Sequence, residues 1–195
     1  MAPTVSITHI TGATGAVTSY ASIAGRGTTK IVIPAVVGVP AIAHAMYDGT
    51  GSFTVSGLDA QGHHLAVLAT SLGAYDGTFP VGFVDQANHP TTALLVETTG
   101  PWHLDLANPS VAPELKGAGV SGHGDAVLSY RGPATPARMI YANTSELAVS
   151  TFGGGVVTML VKTVGPFTGS IALPAGPAFI SVTAAGDWSM TLGRK

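Results

Sequence analysis

Hydrophobic positions along this chain fall in short runs that alternate with polar residues or stay apolar for a handful of positions. "KIVIPAVV" (30–37), "SFTVSGL" (52–58), "LAVLATS" (65–71), "ALLVET" (93–98) and "WHLDL" (102–106) are of this kind. A period of two with β-branched residues is strand chemistry, and the 3.6-residue period of a helix is nearly absent. Gly, Pro, Asn and Asp cluster between the runs and mark turns. Pro80 and Pro174 stand late in two of the runs, which predicts edge strands or strand ends.

The pattern is written twice. "GPWHLDL" (100–106) and "GDWSMTL" (186–192) share Gly-x-Trp-x-x-x-Leu and hold both tryptophans of the chain. "LGAYDGTFPV" (72–81) parallels "VGPFTGSIAL" (164–173), "SFTV" (52–55) parallels "ELAV" (146–149), and "VPAIAHAMY" (39–47) parallels "TPARMIYAN" (135–143). The offset between copies falls from 96 at Pro40/Pro136 to 94 at Val55/Val149, 92 at Gly77/Gly169 and 86 at Trp102/Trp188. Each step lies in turn chemistry, as length differences between copies of one fold should. About seven strand-like runs per copy predict an antiparallel β-sandwich.

The expected fold is therefore all-β: two tandem antiparallel β-sandwich repeats, Ig-like or jelly-roll-like, with an N-terminal extended arm. The predicted segments are an arm or added strands at 1–29, repeat one at 30–107, a linker at 108–124 and repeat two at 125–195. Trp102, Leu104 and Leu106 share one strand face, as do Trp188, Met190 and Leu192. His103 and Asp105, or Ser189 and Thr191, point the other way. Both tryptophans are thus expected in cores, together with Phe53, Tyr75 and Phe167.

The motifs Ser52–Val55, Leu68 to Gly77 with its Gly-x-Tyr-x-Gly ending, and Gly100-Pro101-Trp102 resemble a small all-β repeat of actinobacterial proteins of unknown function. Leu147–Val149, Leu160 to Gly169 and Gly186-Asp187-Trp188 form the second copy. The resemblance covers residues 30–195 and implies a fold and no catalytic residues. Members are often exported. This chain departs from them, because its first 25 residues have no basic region followed by an unbroken apolar core.

Composition narrows the function classes. Charged residues are 9% against about 25% in ordinary soluble domains, mean hydropathy is +0.41, and there is no Cys. A surface this neutral predicts coverage by other copies or by a larger lattice. Thiol catalysis and cysteine zinc sites are excluded, and no apolar run reaches the roughly 18 residues of a membrane helix. Eight Lys and Arg without a basic patch argue against nucleic acid. Acidic residues prevail in repeat one (Asp48, Asp59, Asp76, Asp85, Glu97 and Asp105 against Lys30). Basic ones prevail in repeat two (Arg131, Arg138, Lys162, Arg194 and Lys195 against Asp125, Glu146 and Asp187), an asymmetry that favours association between copies.

Candidate chemistry is sparse. Of His9, His44, His63, His64, His89, His103 and His123, none has ligand spacing on a recognisable element. The weak metal candidates are His63, His64 and His89. "YDGTGS" (47–52) and "YDGT" (75–78) read as Asp-Gly turns, since one carboxylate each is too few for calcium. "SGHGD" (121–125) has no Gly-x-Ser-x-Gly character and falls in the linker. The expected protein is not an enzyme and implies no cofactor. It is a structural component of a large assembly, a phage virion accessory protein such as a capsid decoration or minor tail protein, assembled in the host cytoplasm. The alternative is a secreted or cell-surface glycan-binding module, with Tyr47, Tyr75, Phe83 and Phe167 as candidate aromatics and host glycans as partners.

Overall fold

The computed structural model describes residues 3–11, 17–83, 89–117 and 119–193. The chain divides into two units, residues 1–111 and 112–195, each with its own core. Asp85, Arg194 and Lys195 and the side chain of His9 lie outside the described residues.

Unit 1 holds β1 (Thr4–Thr11), β2 (Val17–Arg26), β3 (Thr29–Val32), β4 (Ala41–Tyr47), β5 (Ser52–Leu58), β6 (His64–Leu72), β7 (Tyr75–Val81), β8 (Ala93–Glu97) and β9 (Pro101–Ala107). Its strands form two antiparallel sheets, β1-β2-β9-β4-β7 and β3-β8-β5-β6. Unit 2 holds β10 (Val120–His123), β11 (Ala126–Tyr130), β12 (Thr135–Tyr141), β13 (Glu146–Gly153), β14 (Val156–Val164), β15 (Phe167–Leu173), β16 (Ala178–Ala184) and β17 (Asp187–Leu192). Its sheets are β10-β17-β12-β15 and β11-β16-β13-β14. Set β1 aside and the two orders superpose strand for strand. Counted within a unit, both read 1-8-3-6 and 2-7-4-5, the double Greek key of a jelly roll.

The repeat therefore has eight strands, one more than the sequence pattern predicts. The first strand of each repeat, β2 or β10, falls in the stretch expected to be an arm or added strands (1–29) or in the expected linker (108–124). β2 pairs with β9 from Tyr20↔Ala107 to Arg26↔Pro101, and β10 pairs with β17 from Val120↔Met190 to His123↔Asp187. Residues 108–124 are thus no simple linker. Leu115 is buried in the second core, and its N–H donates to the Ser129 carbonyl at 2.8 Å. These strands escaped the pattern because β10 is only "VSGH" and half of β2 is Ser, Ala and Gly, inside a Thr/Ser-rich segment.

Register sharpens the alignment of the copies. Tyr47 stands opposite Trp102 and Tyr141 opposite Trp188, so β4 and β12 align at an offset of 94, not at the 96 of Pro40/Pro136. A bulge interrupts β5–β6 between Val55 and Ser56, and another interrupts β13–β14 between Val149 and Ser150. β7, which contains Pro80, is the last strand of its sheet, and so is β15, with Pro174 just beyond it. At sheet edges a missing N–H costs no ladder bond.

Trp102 and Trp188 face their cores at 4% and 3% exposure. Each indole N–H donates to a turn carbonyl, Gly27 at 3.0 Å and Gly124 at 2.8 Å. Each ring lies across a glycine on the neighbouring strand. A Cβ at Gly122 would come within 2.5 Å of the Trp188 ring, and one at Gly25 would collide with Trp102. "SGHGD" is accordingly the corner between β10 and β11: Gly122 seats the ring and Gly124 receives its proton. Phe53 is buried and stacks on Tyr47 and on Tyr75, with ring centroids 5.3 Å apart in both pairs. Tyr75 and Phe167 are half-buried at the rims of their cores.

Candidate functional site

Asp59 follows the last residue of β5 and opens a tight turn into β6. The Gly62 N–H donates to its carbonyl at 3.0 Å, and its own N–H donates to the His63 carbonyl at 3.1 Å. Its carboxylate is fully buried. Oδ1 accepts the backbone N–H groups of Gln61 at 3.0 Å and His63 at 2.8 Å, the capping habit of Asp in turns. That leaves Oδ2 for side chains. Nδ1 of His63 and Nδ1 of His89 both lie 2.9 Å from it. An ionised carboxylate only accepts, so both imidazoles present Nδ1–H inward and turn Nε2 away.

Burial alone would raise the Asp59 pKa. The hydrogen bonds from the His89 ring and from the His63 backbone and ring outweigh it and hold the carboxyl well below the usual range. Asp59 is thus a buried anion tying the β5–β6 turn to the segment that precedes β8.

Of the sequence candidates, His63 and His89 meet here and His64 does not. His64 begins β6 and is exposed outside the cluster. The ligand atoms of Asp59, His63 and His89 all lie within 4.8 Å of one another, the one such group among the described residues. Asp59 was not among the candidates. Its signal was Asp-x-x-x-His, which has no strand or helix period and acts only through the turn. The aligned position of β13 is Gly153, ahead of the two-residue turn Gly154-Gly155, so unit 2 has no counterpart.

A second polar patch covers the outer face of the five-stranded sheet. His44 Nε2 lies 2.8 Å from Asp76, and His103 Nε2 lies 3.0 Å from Asp105 and 3.1 Å from the Ser22 hydroxyl. Asp76 and Gly77 stand inside β7, so "YDGT" is strand and not the expected turn; Asp76 points outward to meet His44 across the ladder. Ser22, His103 and Asp105 are the residue types of a hydrolytic triad without its geometry. One nitrogen faces both partners, whereas a triad sets base and orienting carboxylate on opposite nitrogens.

Among the described residues, the large exposed apolar side chains are all aliphatic. They include Val67 at 64% and Leu72 at 89% on β6, and Val156, Met159 and Val164 at 61%, 54% and 75% on β14. β6 and β14 are equivalent strands, and each is the last of its sheet. The aromatics considered for glycan stacking are placed otherwise: Tyr47 is buried, Tyr75 and Phe167 pack on the cores, and Phe83 is half-buried.

No protein-family model matches the chain, and no curated protein does. Among solved structures, a conserved protein of unknown function from Pseudomonas aeruginosa is similar at 10% identity and a TM-score of 0.27, covering 99% of both chains. The regulatory subunit of a cAMP-independent protein kinase A from Trypanosoma cruzi bound to guanosine follows at 8% and 0.25, covering 89% of this chain and 72% of that one. The 7S globulin of Momordica charantia matches at 9% and 0.22, covering 90% and 72%. At these scores the fold assignment rests on the strand order alone.

Proposed function

We propose that this protein is a non-enzymatic structural subunit of a large assembly, working through protein–protein contacts, with a phage virion accessory role as its setting. The observation that carries the reading is the aliphatic surface of β6 and β14. Edge strands offer unpaired N–H and C=O groups, and proteins that stay single blunt them with charge or proline. Here Val67, Leu72, Val156, Met159 and Val164 stand on those edges, in a chain with few charges to shield them. Branched aliphatic side chains suit a protein partner. Sugar rings are held by exposed aromatic faces, which supports the glycan-binding alternative less.

Jelly rolls build many viral capsid proteins, and that part of the reading is analogy at the level of fold. Copies of this chain are the first partner proposed, and a protein lattice the second. Sedimentation velocity and native mass spectrometry across micromolar concentrations test the first; co-sedimentation with candidate particles tests the second. A monodisperse monomer that joins no particle would overturn the proposal.

A further inference from the structure

We propose that Asp59, His63 and His89 bind a divalent transition-metal ion of the zinc class, and that the ion clasps the β5–β6 turn of unit 1 to the segment leading into β8. Three observations converge on it. The first is the donor set: two imidazoles and one carboxylate suit zinc, cobalt or nickel, whereas magnesium and calcium prefer oxygen alone. The second is geometry. Each Nδ1 stands 2.9 Å from the shared Oδ2, and all three ligand atoms lie within 4.8 Å. Ligands of a tetrahedral zinc with bonds of about 2.0–2.1 Å stand about 3.3 Å apart, so small rotations of two imidazoles open the space.

The third is preorganisation. Oδ1 is fixed by the N–H groups of Gln61 and His63, which aims Oδ2 at the rings before any ion arrives. Binding takes each neutral imidazole to its other tautomer: the proton leaves Nδ1, solvent returns one to the outward Nε2, and the two freed Nδ1 lone pairs and the buried carboxylate face the cation. The rings are accessible, with His63 70% and His89 45% exposed, so an ion enters from solvent and water completes its coordination. Unit 2 has Gly153 at the aligned position, so one site per chain is expected.

The test is calorimetric titration of the full, tag-free chain with zinc chloride, repeated for His63→Ala, His89→Ala and the control His123→Ala. His123 pairs with Asp187 on unit 2 and is remote in sequence from the cluster. His63 and His89 are exposed, so both variants should keep the circular dichroism of the parent. Asp59→Asn is avoided as the primary variant because it disturbs the four hydrogen bonds that its carboxylate accepts, three from the turn and one from His89. The proposal expects one saturable site. Its affinity should fall at least about tenfold in His63→Ala and in His89→Ala, remain in His123→Ala, and have no magnesium counterpart. Absence of saturable binding, equal binding by the two cluster variants and the parent, equal weakening by His123→Ala, or magnesium binding of similar strength would each overturn it.

Discussion

Gly122 lies directly opposite Trp188 in the β10–β17 ladder, and the indole ring occupies the space where any Cβ at Gly122 would stand. Gly25 and Trp102 repeat the relationship in unit 1. The N–H of each indole then ends on the carbonyl of the second glycine of a Gly-x-Gly corner, Gly124 or Gly27. Ring, seat and acceptor form one device, which accounts for Gly-x-Trp recurring together with "GRG" (25–27) and "GHG" (122–124).

Gly122→Ala should destabilise unit 2 by about 1–3 kcal/mol through overpacking, and Trp188→Ala by about 3–5 kcal/mol through the cavity it leaves. In the double variant the alanine methyl enters space the ring has vacated. Its total cost should therefore fall short of the sum of the singles. Urea titrations of the four proteins measure the coupling, and strict additivity would contradict the packing described.

The unit boundary predicts how the chain can be cut. A fragment of residues 112–195 contains Leu115, β10 and the acceptor Gly124, so it should unfold cooperatively. A fragment of residues 125–195 loses all three and leaves the Trp188 N–H without its carbonyl, so it should lose the cooperative transition. Thermal circular dichroism of the two fragments distinguishes these outcomes.

Asp59 predicts an acid limb in the stability of metal-free protein. Its folded pKa lies below the unfolded value of 3.8. The stabilisation is therefore present above pH 3.8 and is lost as pH falls below it, because the unfolded chain binds the proton first. In chelator-treated samples, the melting temperature of the parent should drop more steeply between pH 4 and pH 2 than that of Asp59→Asn. Parallel curves would contradict the assignment.

Charges placed on the aliphatic edges should weaken association and spare the fold. Val67→Lys on β6 and Val157→Lys on β14 change exposed positions, at 64% and 40%. The effect on unfolding should stay within about 0.5 kcal/mol. A shift toward smaller species in sedimentation velocity is the expected result for the double variant.

Much of the architecture was legible because it is written in apolar alternation. The runs at 52–58 and 102–106 became β5 and β9, and the matched endings identified corresponding strands. The first strand of each repeat was hidden for the converse reason. β10 has one large apolar residue, and its place is fixed by the Trp188 ring crossing Gly122, a tertiary contact with no period. The β4/β12 register was drawn two residues off by Pro40 and Pro136, which look alike but do not share a ladder position; Tyr47 and Tyr141 do. At the candidate site, His63 and His89 could be named individually. Their meeting depends on a buried carboxylate in a turn, and neither its burial nor the course of the chain between 63 and 89 leaves a trace in local pattern.

The bulges after Val55 and after Val149 bear on history. An extra residue in a ladder is a local irregularity that a sandwich tolerates at many places, and here it sits at the same aligned step in both copies. The simplest source is one ancestral sandwich of eight strands, already closed around its own tryptophan, that was copied whole and joined end to end. Where unit 2 has a plain glycine turn, unit 1 has Asp59 and His63, and Asp59 also reaches His89 ahead of β8.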